Sequence, residues 1–172
     1  AERFQTPVFV ASDLDIGMND WMVQRFVWDD AYRPDRGKVL GPEDLDRIKK
    51  FSRYLDTDGD GVAARTLPGV DPRGAYFVRG SGHDAHAAYT EDAAEYREVV
   101  DRLARKIANA ADAAPAPVLD AVSSDAEIGI VSLGGCDGAV REAVSLLRAR
   151  GVAVDYLRLR AFPFPASVHA FL

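Results

Sequence analysis

"EIGIVSLGGCDGAVREAVSLLRARGVAVDYLRLR", residues 127–160, decides the fold. "EIGIVSL" is an apolar run of strand length, "GAVREAVSLLRAR" carries the helical period, and "VAVDYLRLR" is a second strand. Asp137 stands at the helix start as its cap, and Gly151 just past the end as its stop. Strand, helix and strand in that order make a βαβ unit with parallel strands and a right-handed crossover. The expected class is α/β.

Upstream of this unit, "APAPV" (114–118) reads as a short proline linker, which puts a boundary near residues 114–124. Before it, Thr90 opens the longest helix, "TEDAAEYREVVDRLARKIANAADA", with Tyr96, Val99, Val100, Leu103 and Ile107 as its apolar stripe. "GPEDLDRIKKFSRYL" (41–55) reads as another helix, with Pro42 in the first turn and Leu45, Ile48, Phe51 or Ser52, and Leu55 on one face. The turn-rich stretch up to Ser81 leaves room for one short strand, "AYFVR" (75–79). At the start of the chain, "PVFVA" (7–11) has the continuous apolar pattern of a strand buried on both faces of a parallel sheet.

Ser12 or Asp13 then caps a turn of helix, "DLDIGMND", and the aromatic segment from Trp21 to Tyr32 reads as an extended connection docked on a neighbouring domain or subunit. The chain starts without Met almost directly in a strand and stops as a helix begins, so both ends are expected to continue in a longer polypeptide. The resulting layout has residues 1–113 as the end of one parallel-sheet domain plus a long connection with helices. Residues 125–172 then start a second α/β domain.

The 172 residues are 48% hydrophobic, enough for a conventional core. Twenty-seven acidic against 21 basic residues give a net charge of -6 with both signs interspersed, which argues against nucleic acid as a partner. No apolar run approaches the ~18 residues of a membrane span, so no membrane partner is expected. A single cysteine, Cys136, allows neither an internal disulfide nor a CxxC zinc site, and a reducing cytoplasm is the natural setting.

"YLDTDGDGVAARTLPG" (54–69) sets Asp56, Asp58 and Asp60 at alternate positions before Gly61, in the manner of an EF-hand loop with the Val62 carbonyl as fourth ligand. The twelfth position, however, is Leu67 where a bidentate Glu belongs, and no exit helix follows. An acidic structural turn is therefore the preferred reading. If Ca²⁺ or Mg²⁺ binds, Asp56, Asp58, Asp60 and the Val62 carbonyl are its ligands. "GSGHDAHAAY" brings together His83, Asp84 and His86 without a third soft ligand, so a hydrogen-bonded loop is favoured over a metal or catalytic site. "SLGGCDG" places glycines and Cys136 at a helix start, where an anion could sit, but lacks both GxGxxG and a P-loop. No Ser-His-Asp arrangement is readable, and no catalytic residue is assigned.

Six collinear strings, "TPVFVASDLDIGMNDWM", "DRGKVLGPEDL", "RYLDTDGDGVAARTLPG", "FVRGSGHDAHAAYTED", "DRLARKIANA" and "VDYLRLRAFPF", resemble the alpha subunit of bacterial 2-oxoacid:ferredoxin oxidoreductases of the 2-oxoglutarate type. The resemblance runs over nearly the whole chain. It implies a partner beta subunit, oxidative decarboxylation of a 2-oxoacid to its acyl-CoA, and electrons passed to ferredoxin. Thiamine diphosphate and Mg²⁺ would sit at the subunit interface, and the iron–sulfur cluster on another subunit. Residues 1 to about 20 would close the pyrimidine-binding domain, and 125–172 would open a domain like the C-terminal domain of transketolase. Asp13, Asp15 and Asn19 would lie near the cofactor cleft. The chain alone would be scaffold and subunit interface, with a homodimer possible. The rival reading is a non-enzymatic cation-binding or interaction module organised by the DTDGDG loop, and a small hydrolase using His83 or Cys136 is a third.

Overall fold

In the computed structural model, which describes residues 1–77, 80–122 and 126–172, the expected βαβ unit is present. β2 (Ile128–Leu133) and β3 (Val154–Leu159) are parallel, with Ile130 opposite Tyr156, and α4 (Asp137–Ala149) joins them. A strand that the sequence reading missed, β1 (Val118–Asp120), pairs antiparallel with β3, giving the order β1-β3-β2. It lies where the proline linker was expected. Three residues behind two prolines are too few to show a period.

β3 is the centre because it buries apolar side chains on both faces. Val154 and Tyr156 are buried against Val144 of α4, with Ile130, Val140, Leu147 and Val152 around them. Leu157 points to the opposite face, where α5 (Ala166–Phe171) lies. The Phe171 ring comes so close to Gly129 that a Cβ there would stand 3.1 Å from two of its carbons. Arg148 ties the end of α4 to the sheet, donating to the Asp120 carboxylate at 3.0 Å and to the Val154 carbonyl at 2.8 Å. α4 starts one residue earlier than expected: Cys136 is its N-cap and Asp137 its first residue, whose carboxylate turns to Tyr156 instead of the backbone. Gly151 at φ +82 supplies the stop.

By packing, the chain forms two units that interleave along the sequence. One is Ala1–Val8 with Ala31–Ala110, the other Phe9–Asp30 with Ala111–Leu172. In the second unit, α1 (Leu14–Met18) forms as expected, with Asp13 as its N-cap. The "PVFVA" run, by contrast, forms no strand in this chain, and Phe9 and Val10 are more than nine-tenths exposed. The Trp21–Tyr32 segment carries neither helix nor strand, and Met22, Phe26, Val27 and Trp28 are exposed.

The first unit corrects three element boundaries. α2 (Pro42–Arg47) stops at Ile48 rather than Leu55. Only Leu45 is buried on it, so the exposed Ile48 and Leu55 give a longer helix no packing to offset its ordering cost. α3 (Ala93–Asn109) starts at Asp92, whose carboxylate accepts from the Ala94 and Glu95 amides, while the Thr90 hydroxyl accepts from the Asp92 amide ahead of the helix. Residues 75–77 of the expected "AYFVR" strand carry no strand and follow a 3₁₀ turn, Pro72–Gly74; Val78 and Arg79 lie outside the described residues.

α3 is also turned relative to expectation. Tyr96, Val100, Leu103 and Ile107 are exposed, and the buried residue is Lys106. Gly61 fixes this orientation, because a Cβ there would stand 2.7 Å from the Arg102 carbonyl oxygen and from the Lys106 Cα. The loop backbone therefore lies directly on the helix backbone, against its polar face.

Candidate functional site

The acidic loop folds around an internal cation. A short parallel bridge pairs Val39 with Arg65, the Arg65 amide donating to the Lys38 carbonyl, and this lays Lys38 along the loop. The Lys38 ammonium donates to Asp58 Oδ1 and Asp60 Oδ1, both at 2.6 Å, and to the Val62 carbonyl at 2.8 Å. Three of the four expected metal ligands thus converge on Nζ. The fourth, Asp56, accepts from the Gly59 and Gly61 amides at 3.0 and 2.9 Å, in a turn whose glycines adopt φ +80 and +85. One oxygen from each of Asp56, Asp58 and Asp60 still lies within 4.8 Å of the others.

Burial alone would push Lys38 down, but its hydrogen bonds to Asp58 and Asp60 outweigh it and hold the ammonium above its ordinary value. The same bond from Lys38 holds Asp58 below the usual carboxylate range. Sequence reading missed Lys38 because it lies 20 residues from Asp58, and only the bridge brings them together.

The glycine turn after β2 is filled in the same manner, by an internal anion. Gly134 has φ +84, and the Gly135 amide donates to Asp13 Oδ2. Asp13 Oδ1 accepts from the Ile16 amide at 2.9 Å. These backbone donors, Ile16 first and then Gly135, lower the Asp13 pKa. A Cβ on Gly135 would stand 2.8 Å from Asp13 Oδ2 and 2.9 Å from Oδ1, so the turn is shaped to that carboxylate. Asn19 completes α1 by donating to Asp15 Oδ1 at 2.6 Å. Asp13, Asp15 and Asn19 are therefore engaged with their own helix and with the turn.

Cys136 is exposed and its thiol leans on the Leu133 carbonyl at 3.4 Å. In the histidine loop, Asp84 Oδ1 accepts from the His86 and Ala88 amides, both at 2.8 Å, which makes it a turn former. His83 stacks on Tyr54 with ring centroids 3.9 Å apart, and His86 Nδ1 meets the Ser52 hydroxyl at 2.9 Å. A buried polar chain that the sequence did not signal runs from β2 to α4. Ser132 Oγ and Tyr156 Oη lie 2.6 Å apart, and Tyr156 donates to Asp137 Oδ1 at 2.7 Å. Arg141 and Arg158 meet Asp137 Oδ2 at 3.0 and 3.2 Å. Burial would raise Asp137, but Tyr156 and the two guanidinium groups lower it on balance.

Each ligand-like motif is thus closed by the chain's own groups, and identity has to come from the whole pattern. No family model matches the chain. Subunit alpha of 2-oxoacid:ferredoxin oxidoreductase 2 from Aeropyrum pernix is 27% identical over 172 residues, covering 98% of the chain. The chain resembles that alpha subunit. It spans about a quarter (26%) of that relative's length. A solved 2-oxoglutarate:ferredoxin oxidoreductase from Magnetococcus marinus, with 2-oxoglutarate, coenzyme A and succinyl-CoA bound, matches 79% of the chain and 23% of its own, at TM-score 0.67 and 24% identity. The α/β fold is therefore that of part of such an enzyme. Among the described residues no helix is long and apolar enough to cross a membrane.

Proposed function

We propose that the chain is a scaffold and interface segment of a 2-oxoacid:ferredoxin oxidoreductase alpha subunit. The full complex would oxidatively decarboxylate a 2-oxoacid, 2-oxoglutarate by this reading, to its acyl-CoA. It would include a beta subunit and pass electrons to ferredoxin from an iron–sulfur cluster carried elsewhere. The observation that carries this is the collinear likeness over 98% of the chain to a subunit of that name. Thiamine diphosphate with Mg²⁺ would supply the electron sink in the complex. On this reading Asp13, Asp15 and Asn19 sit beside the cleft as positioning residues, holding the turn after β2 against α1, and the chain alone is inactive.

The exposed apolar groups support an interface role. The run from Phe9 to Trp28 and the Tyr96, Val100, Leu103 and Ile107 face of α3 are apolar surfaces of the kind that subunits or domains cover. Amide hydrogen exchange of the isolated chain, compared with the same segment in the assembled enzyme, tests this. Strong protection of residues 7–28 on assembly is expected, and equally fast exchange in both states would refute the interface role.

The cation-module reading rests on the cluster of Asp56, Asp58 and Asp60. A divalent ion there would have to displace Lys38, at the cost of three hydrogen bonds. Calorimetry with Ca²⁺ on the wild-type chain and on Asp58→Ala separates the two readings. Tight binding lost in the variant would favour the cation module.

A further inference from the structure

α3 buries charge where an amphipathic helix ordinarily buries hydrocarbon. Lys106 is 8% exposed, and Arg102 and Arg53 are half-buried beside it. Among the described residues no carboxylate pairs with any of the three. Lys106 Nζ donates to the Gln5 carbonyl at 3.2 Å, Arg102 to the Gly61 carbonyl at 2.9 Å, and Arg53 to Gln5 Oε1 at 2.6 Å and, weakly, to the Ala64 carbonyl at 3.4 Å. All these acceptors are neutral. Arg102 Nε is buried with no acceptor at all. Arg53 also rests over the Tyr54 and Tyr76 rings, 5.1 and 5.6 Å from their centroids, which orients its guanidinium without neutralising it.

The surrounding charges do not balance this. Arg105 adds a fourth cation, and the carboxylate that acts on Arg102 among the described residues is Asp56, which Arg105 already meets at 3.4 Å and which two loop amides occupy. Burying several cations without a counter-charge is costly, and one buried donor left unmade adds to that cost. Burial, with neighbouring guanidinium charges behind it, holds Arg102 below its ordinary value. Burial first, then the Arg102 and Arg53 charges, pushes the Lys106 ammonium below its ordinary value.

We propose that Arg53, Arg102 and Lys106 form a binding site for an oxyanion, a phosphate or carboxylate group, which supplies the missing counter-charge beneath the Gln5 segment. Two guanidinium forks and an ammonium suit such a group, since each fork can give parallel N–H bonds to two oxygens. The half-buried Arg53 and Arg102 are the solvent side of the site and Lys106 its floor. The site is independent of the oxidoreductase reading and stands or falls separately.

The test is a thermal and calorimetric titration of the 172-residue chain with inorganic phosphate and, in a separate arm, acetate, each against chloride at matched ionic strength. One of the two is expected to bind saturably and raise the unfolding midpoint, and the more effective arm names the group. Arg102→Gln should weaken that binding about ten-fold or more, as loss of a charged hydrogen bond does. Should the variant fold poorly, ¹⁵N-lysine NMR of the unmodified chain gives the answer: the bound anion should raise the Lys106 titration midpoint relative to chloride. No response beyond chloride in either arm would overturn the site, as would an equal response in a folded Arg102→Gln variant.

Discussion

At the scale of single residues, the chain answers its own ligand motifs with internal charges: Lys38 for the acidic loop and Asp13 for the glycine turn. Lys38→Met should cost only about 1 kcal/mol in urea unfolding, because the carboxylates it joins are largely exposed. The same variant should make the unfolding midpoint respond to Ca²⁺ more than the wild type does, with the Asp58 and Asp60 oxygens released. The two lysines carry opposite pH signatures. Lys38 is raised in the folded state, so its contribution is complete below about 10.4, its unfolded value, and is lost as pH climbs through the folded one. Lys106 is lowered, so between its folded pKa and about 10.4 the unfolded chain binds more protons and stability rises with pH. Unfolding free energies measured across alkaline pH should lose the falling component in Lys38→Met and the rising one in Lys106→Met. None of this was legible from local sequence: Asp56, Asp58 and Asp60 advertise a cation, but not that the cation is a lysine 20 residues from Asp58.

At the scale of elements, what could be read was whatever packing and periodicity agreed on. β2, α4 and β3 appear where a strand-length run, a helical period and a second run placed them, because Val144, Val154 and Tyr156 bury together. α2 and α3 departed where periodicity was the only guide. The long period over 41–55 had just Leu45 to bury, and the apolar stripe of α3 lost to the backbone contact at Gly61. Asp92→Ala should remove both side-chain bonds of the α3 cap and cost about 1 kcal/mol in chemical denaturation. Tyr156→Phe should leave Ser132 and Asp137 without their shared hydroxyl and cost about 1–2 kcal/mol. Asp137 is lowered on folding, so its contribution is present above about 3.9 and lost as pH falls through the folded value. Asp137→Asn should flatten acid unfolding followed by circular dichroism.

At the scale of the whole molecule, the apolar run at Phe9–Trp28 and the outward face of α3 are the features a self-sufficient domain would not keep. The sequence marked "PVFVA" as an inner strand by composition, and its exposure here follows from the absence of any strand pairing for residues 7–11. The isolated chain should bind an apolar-surface dye strongly and self-associate, and assembly into a larger subunit should suppress both. The central claim is that this is a non-catalytic segment of a 2-oxoacid:ferredoxin oxidoreductase. Its most direct test is 2-oxoglutarate- and coenzyme A-dependent reduction of ferredoxin, measured with the full alpha polypeptide assembled with its beta subunit and, in parallel, with the 172-residue chain alone. The account predicts reduction by the assembly and none by the chain. Substrate-dependent turnover by the chain alone, or none by the assembly with any 2-oxoacid, would contradict it.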